Sequence, residues 1–357
     1  MRPLIGVLKG TGIGPEVIEA ALLVLQSVEQ ALGIQTEIRH GGLIGEEAES
    51  VCGKSLPEHV VEFCADIFRS GGAILSGPGG GRYVYDLRRR FDLFCKFVPV
   101  QPAPELASAG KIHLNNLKDL DILFVRDNSS GVYQGRWQQR VTDKGRLAEH
   151  SFSYSEAAVQ RLIEVAARAA ASRKANLYVI VKEGGVPAVT ALWRDIGAAV
   201  AQHYRVQARF MNVDFAAYEL IQNPWRFDVI AAPNMFGDIL ADVAALLLSS
   251  RGVAFSGNFD AHGHGVYQTN HGCAHDLAGM GVANPGGQIL SLAMLLRESF
   301  GMFEAATLIE KSLAEVWRQG WRTSDIAEQG CKIVGTRAMA QQVAEQVLCS
   351  TEAVTAA

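Results

Sequence analysis

The sequence predicts an α/β fold of two lobes sharing a largely parallel central sheet that is covered on both faces. Short apolar runs bounded by Gly, Pro, Asp or Asn alternate with longer stretches whose apolar residues recur at helical spacing. Such alternation marks strand–helix–strand units, which build parallel sheets with helices on each face. The 357 residues are long for one simple domain and short for three, and no internal repeat or low-complexity linker divides them. Two lobes joined by continuous secondary structure follow, with a cleft between them as the expected ligand site.

In chain order, strands are expected at residues 4–8, 73–75, 122–125, 177–181 and 227–231. Helices are expected at 16–31, 156–172, 288–296 and 308–317. Pro15 opens the first helix, and Ser155 caps the second, where Val159, Leu162, Ile163 and Ala166 share one face. The tail from Cys349 to Ala357 is expected to fray.

With 48% hydrophobic and 20% charged residues, the composition excludes disorder and collagen-like repeats. A formal net charge of −4 offers no basic surface to nucleic acid. The longest apolar stretch, 239–248, contains Asp242 and falls short of the ~20 residues a membrane helix needs, so no membrane span is expected. Met1-Arg2-Pro3 leads into no secretory signal, and a cytoplasmic protein is expected. The six cysteines form no C-x-x-C pair and read as reduced buried thiols. Glycine is in excess, 36 residues where an average chain of this size has about 25.

Asp238 and Asp242 are four apart. On a helix they share one face and can hold one divalent ion, or they are a solvated acid pair. Their apolar flanks favour the ion, since two carboxylates on a buried helix repel unless a cation or water separates them. Lys182 ends the run 177–181, where sheet strands point at ligands; alternatively it snorkels or pairs with Glu183. Arg126 follows 122–125 in the same way, and Tyr133 lies seven residues on. Arginine suits a carboxylate and a phenol can donate a proton, though a surface arginine with a packed tyrosine reads equally well. Of the adjacent Arg88, Arg89 and Arg90, one or at most two can face one anion.

Two glycine-rich segments stand out. Gly10-Thr11-Gly12-Ile13-Gly14 reads as a dinucleotide loop or a tight strand-to-helix turn. The other runs from His271 through Gly272, Cys273, Ala274, His275 and Asp276 to Asn284. Backbone amides freed by glycine can cradle a pyrophosphate, and an acid can bind ribose hydroxyls. The non-helical setting of His271 and His275 argues against zinc.

Together these pieces resemble the β-decarboxylating dehydrogenases, the isocitrate and 3-isopropylmalate dehydrogenase family. The resemblance runs in order along nearly the whole chain. Residues 5–17 resemble G-D-G-I-G-P-E-V with Thr11 for the acid, 87–99 resemble L-R-x-x-x-D-L-F-x-x-x-R-P, and 125–135 resemble V-R-E-x-x-x-G-x-Y-x-G. Residues 234–242 match N-x-F-G-D-I-L-x-D, 271–285 match H-G-x-A-x-D-x-A-G-x-G-x-A-N-P, and 320–326 match G-x-R-T-x-D-I.

The resemblance implies an isopropylmalate-dehydrogenase-like two-lobe fold. Residues 1–98 with 246–357 would form the large cofactor-binding lobe, and 99–245 the small lobe with the dimer interface, metal and catalytic residues. It implies NAD and Mg²⁺ or Mn²⁺ as cofactors, a small anionic hydroxy-acid substrate, and a homodimer with shared active sites, or a tetramer. Asp238 and Asp242 resemble metal ligands, joined by Asp214 from the neighbouring subunit. Lys182, also crossing the interface, resembles the base for the substrate hydroxyl, and Tyr133 the acid that protonates the enol. Arg88 and Arg126 resemble substrate-carboxylate ligands. The 271–276 loop and Asn284 resemble the adenosine site, with Asp276 favouring NAD.

The implied reaction is NAD-dependent oxidative decarboxylation of a 3-substituted malate to a 2-oxo acid and CO₂. The departures bear on the substrate. A second family arginine falls at Val98, a family Glu at Gln268 and a family Pro at His275, and residues 77–86 form a short segment. Either Arg82, Arg89 or Lys96 replaces the missing cation, or the substrate presents a different group there. A specialised biosynthetic pathway is expected on that ground. Tartrate- or malate-type oxidation without decarboxylation, and a non-catalytic regulatory subunit, are the alternatives.

Overall fold

The computed structural model describes residues 2–355, the last five by their backbone alone. Fourteen strands and eleven α-helices alternate along the described chain. Ten strands form one sheet. They are β1 (Leu4–Leu8), β2 (Glu37–His40), β3 (Ala73–Ser76), β4 (Cys95–Val100), β5 (Ile122–Asp127), β8 (Asn176–Val181), β9 (Gln207–Asn212), β10 (Val229–Ala232), β11 (Phe255–Phe259) and β12 (Gly265–Thr269). Their order is β2-β1-β3-β12-β11-β4-β5-β10-β8-β9. Six neighbouring pairs are parallel, and only β12–β11, β11–β4 and β4–β5 are antiparallel. The expected largely parallel sheet is therefore present, with an antiparallel seam at its centre.

Strands from both ends of the chain lie on one side of that seam, β1–β3 with β11 and β12; β5 and β8–β10 lie on the other. The expected lobe division at 98/99 falls inside β4, which pairs with both sides.

Alternation along the strands shows why helices cover both faces. Ile5 and Val7 enter the largest core, while Leu4 and Leu8 enter a second one on the other face. Likewise Tyr178 and Ile180 face one core, and Leu177, Val179 and Val181 another. A strand apolar at every position needs cover on both sides. That cover comes from α1 (Gly14–Leu32), α2 (Gly45–Cys52), α3 (Glu58–Arg69), α4 (Tyr83–Arg90), α5 (Glu156–Ala171), α6 (Pro187–Tyr204), α7 (Val213–Gln222), α8 (Asn234–Ala244), α9 (Gly286–Phe300), α10 (Phe303–Arg318) and α11 (Thr336–Thr355). The Ser155 cap is present, its hydroxyl accepting from the Ala158 amide at 3.2 Å.

Several local expectations are corrected. The strand expected from residue 227 begins at Val229, because a 3₁₀ turn at Pro224–Arg226 closes through the Phe227 amide to the Pro224 carbonyl. The helix expected at 308–317 begins at Phe303, directly after Gly301 (φ +63°) ends α9. The tail is helical to Thr355, and 356–357 lie outside the described residues. All six cysteines are free, but only Cys64, Cys95 and Cys273 are buried; Cys52 and Cys349 are exposed and Cys331 is half-buried. An exposed hairpin, β6 (Arg136–Thr142) with β7 (Gly145–Ser151), and a short pair, β13 (Trp321–Arg322) with β14 (Lys332–Ile333), complete the described strands. No helix among the described residues is long and apolar enough to cross a membrane.

Phe124, fully buried in β5, tests this core. Phe124→Ala should cost about 3–5 kcal/mol, read as a lowered chemical-denaturation midpoint.

Candidate active site

β5 delivers Arg126 to the carboxyl end of the sheet, and its guanidinium is only 2% exposed. A buried cation must be paired and hydrogen-bonded, and each nitrogen here has a partner. Nε and Nη2 donate to Asn234 Oδ1 at 3.2 and 2.8 Å, and Nη1 is ion-paired with Asp238. Asn234 and Asp238 are one turn apart at the start of α8. The helix approaches closely because position 237 is glycine: a Cβ there would lie 2.9 Å from Arg126 Cγ.

Tyr133 covers the pair. Its ring centre is 5.7 Å from the Arg126 guanidinium carbon, and its phenol lies in the field of the Asp238 carboxylate. Burial and the Asp238 charge push the Tyr133 phenol above its ordinary pKa, so it stays protonated, as a proton donor must. Burial alone would raise the Asp238 carboxyl, but Arg126, Lys96, Tyr133 and Arg88 outweigh it and hold it below the carboxylate range. Asp242, one turn on, is raised by burial and by Asp238 despite Arg251, which pairs with it at 2.8 Å.

Of the three consecutive arginines, only Arg88 turns inward, 4% exposed; Arg89 is exposed and Arg90 pairs with Glu58. Burial and the neighbouring Arg126 push Arg88 down to about 9.

Lys182 follows β8 and donates to Asp214 Oδ1 at 2.8 Å, while Glu183 pairs with Arg194 instead. Asp214 is exposed on α7 and held below its ordinary value first by the Lys182 hydrogen bond. No hydrogen bond or ion pair among the described residues joins this pair to the Arg126 cluster. Nor do any three His, Cys, Asp or Glu side chains among them gather where one metal could sit. The Asp238–Asp242 face supplies two hard oxygen donors suited to Mg²⁺ or Mn²⁺, and further ligands must come from elsewhere.

A cleft of about 430 Å³ is lined by His271, Gly272, Ala274, Asp276 and Asn284, with Arg251, Asp325 and Ile13. Cys273 and His275 turn away: the thiol lies 3.2 Å from the Thr11 hydroxyl, and His275 Nε2 lies 2.7 Å from Glu46. Asn284 orders the loop, giving its amide N–H to Asp325 and accepting from Gly286 N. His271 Nε2 is buried without a partner, and burial pushes this imidazole below its ordinary pKa. An orphaned polar atom beside glycine backbone fits a nucleoside. The first glycine loop is a tight turn that supports this cleft. Gly12 (φ +60°) packs where a Cβ would be 2.1 Å from the Cys273 carbonyl, which the Ile13 amide meets at 2.9 Å.

Asn234, Arg251, Asp325 and Asn270, whose Oδ1 accepts from Lys96 Nζ at 2.6 Å, hold site contacts to which the sequence assigned no role. Asn234 opens the N-x-F-G-D stretch and Asp325 closes G-x-R-T-x-D-I, so their motifs were visible without roles. Arg251 and Asn270 had no motif signal.

Buried cations thus lie beside a two-carboxylate helix, and Arg251, which pairs with Asp242, also lines the neighbouring cleft of an α/β sheet. The profile of the isocitrate/isopropylmalate dehydrogenase family matches residues 4–343. The chain is 35% identical to the 3-isopropylmalate dehydrogenase of Aquifex aeolicus, covering 96% of each chain. It is 39% identical to that of Cupriavidus metallidurans, over 95% of this chain and 98% of the other. It superposes on the crystal structure of isocitrate dehydrogenase from Methylococcus capsulatus with a TM-score of 0.86 and 27% identity, covering 97% of this chain and 99% of the other. The chain belongs to the isocitrate/isopropylmalate dehydrogenase family, NAD-dependent decarboxylating enzymes that use Mg²⁺ or Mn²⁺.

Gly237→Ala should push Arg126 aside and lower kcat/KM by about 100-fold, with the far-ultraviolet circular dichroism unchanged. Asp127, beside Arg126, is raised by burial to about 6 despite amide bonds from Ser129 and Ser130. A carboxyl raised on folding favours the native state below its unfolded pKa, and that contribution is lost as pH rises through 6. Asp127→Asn should therefore raise stability relative to the parent more at pH 7.5 than at pH 4, by up to about 3 kcal/mol, measured as paired melting curves.

Proposed function

We propose that this chain oxidises and decarboxylates a 3-substituted malate in a specialised biosynthetic pathway, through the residues assigned above. The observation that carries the reading is the convergence of Arg88, Arg126 and Tyr133 on the Asp238–Asp242 face. Arg88 and Arg126 hold the substrate carboxylate. Asp238 and Asp242, with Asp214 of a second copy, would hold Mg²⁺ or Mn²⁺, which supplies Lewis acidity toward the 2-hydroxyl and the later enolate. His271, Gly272, Ala274, Asp276 and Asn284 would border NAD, the hydride acceptor, with the Asp276 carboxylate disfavouring a 2′-phosphate. Lys182 of a second copy, in its neutral amine form with Asp214 turned to the metal, would take the hydroxyl proton. After CO₂ leaves, Tyr133 returns a proton to the enol carbon.

Shared sites are supported by what one chain leaves uncovered. Lys182 and Asp214 stand apart from the Arg126 cluster, and Asp214 is flanked on α7 by exposed Phe215 and Tyr218. Ile239, beside Asp238, is exposed too. A homodimer would cover these apolar side chains. Six free thiols suit a cytoplasmic setting. The specialised role rests on Val98, which packs into the core with no cation at that position.

With Mg²⁺ and NAD, some member of a panel of 3-substituted malates should yield NADH and CO₂ in equal amounts. NADH without CO₂ would favour simple hydroxy-acid oxidation, and no NADH with any of them would overturn the reading. Lys182→Met should lower kcat by roughly 10²–10⁴-fold while NAD binding, followed by fluorescence, persists.

A further inference from the structure

Lys96 has no role in the reading above, yet its position is unusual. In the β4–β5 ladder it stands directly opposite Arg126, with Val98 opposite Phe124. Opposite residues in an antiparallel pair point to the same face. Lys96 therefore shares the face on which Val98, Val100, Ile122 and Phe124 pack into the largest core, and it sits with Arg126 where that apolar face ends.

The ammonium is buried, 3% exposed, and its one hydrogen bond goes to a neutral acceptor, Asn270 Oδ1, at 2.6 Å. No carboxylate lies within ion-pair reach of it among the described residues. Arg88 is also a buried residue, 4% exposed, and among the described residues it has neither a hydrogen bond nor an ion pair, only the Tyr85 ring with its centre 6.0 Å from the guanidinium carbon. The nearby acids are already engaged, Asp238 by Arg126 and Asp242 by Arg251. Two buried cations beside a third, with no acid left for them, form a site that needs an incoming anion.

The other two cations that the sequence offered in place of a charge at 98 do not compete. Arg82 is half-exposed, pairs with Asp86 at 3.7 Å and lies over the Trp137 ring at 4.6 Å, while Arg89 faces solvent. We propose, resting on the malate reading, that Lys96 is a third substrate-carboxylate ligand standing in for the cation Val98 cannot supply. We further propose that it grips the malate skeleton rather than the C3 substituent. Burial, then Arg88 of α4 and Arg126 of β5, push the Lys96 ammonium well below its ordinary pKa, while Asp238 and Asp242 of α8 oppose that shift, so an arriving carboxylate would restore the charged form. Those neighbouring side chains are the groups assigned to the skeleton's carboxylates and hydroxyl. Asn270 is the positioning residue, fixing a flexible point charge where an arginine fork would be rigid by itself.

Lys96→Met removes the charge at nearly constant volume. KM for every accepted 3-substituted malate should rise roughly 10- to 100-fold, by the same factor for apolar and acidic substituents. kcat should stay within a few-fold and NAD affinity should be unchanged. The melting temperature should hold or rise, because an unpaired buried charge is gone. Lys96→Arg, which keeps the charge, should recover part of the KM. In a readout free of turnover, malate dianion should raise the melting temperature of the parent protein and not of Lys96→Met. An unchanged KM, a lowered melting temperature with unchanged malate protection, or a KM change confined to acidic substituents would overturn the proposal. If the parent turns over no malate, the functional reading fails separately, and loss of malate protection in Lys96→Met still supports the anion site.

Discussion

The buried guanidinium of Arg126 is the constraint on which the rest of the site depends. At the end of a strand covered on both faces it has almost no access to water, so protein groups must satisfy all of it. That need explains why α8 opens with Asn234, why Asp238 follows one turn on, and why the residue between them that touches Arg126 is glycine. It also explains Tyr133, whose ring covers the guanidinium and whose phenol is kept protonated by burial and by Asp238. One strand end and one helix start are thereby locked in register, and the carboxylates that would meet a metal are placed by the same contact.

Beyond that pair, the charges are unequally distributed. Arg126 with Asp238 and Asp242 with Arg251 are matched, while Arg88 and Lys96 remain without acids in the same interior. The matched Lys182–Asp214 pair lies apart, on elements whose aromatic neighbours face outward. An interior surplus of positive charge and a separate, outward half-site are two aspects of one arrangement. On the proposed reading the first would take an anionic substrate, and the second would pair with another copy of the chain.

Much of this was legible in the residues. Buried strands such as Leu4–Leu8 and Asn176–Val181 are apolar at almost every position, which periodicity finds easily. Of the central antiparallel strands β5 was expected, but β4 and β11 were not, because β4 carries Lys96 and Pro99 and β11 carries Ser256 and Asn258. A strand that carries buried polar residues loses the pattern that would betray it. The β6–β7 hairpin was missed for the opposite reason: it is exposed along almost its whole length and has no core face. The carboxylate spacing at 238 and 242 pointed to one helix face, but no spacing could show that Lys96 stands opposite Arg126. That is a register across 30 residues, and only the ladder supplies it.

In the proposed enzyme a complete site is assembled from two copies, one giving Lys182 and Asp214 and the other the Arg126 cluster. Co-expression of separately tagged Lys182→Met and Tyr133→Phe chains, followed by isolation of the mixed dimer, tests it directly. Each parent variant should be nearly inactive, while the mixed dimer contains one intact site and should show about half the activity of the unmodified dimer. A mixed dimer as inactive as its parents would contradict the account, since it would place Lys182 and Tyr133 in the same chain's site.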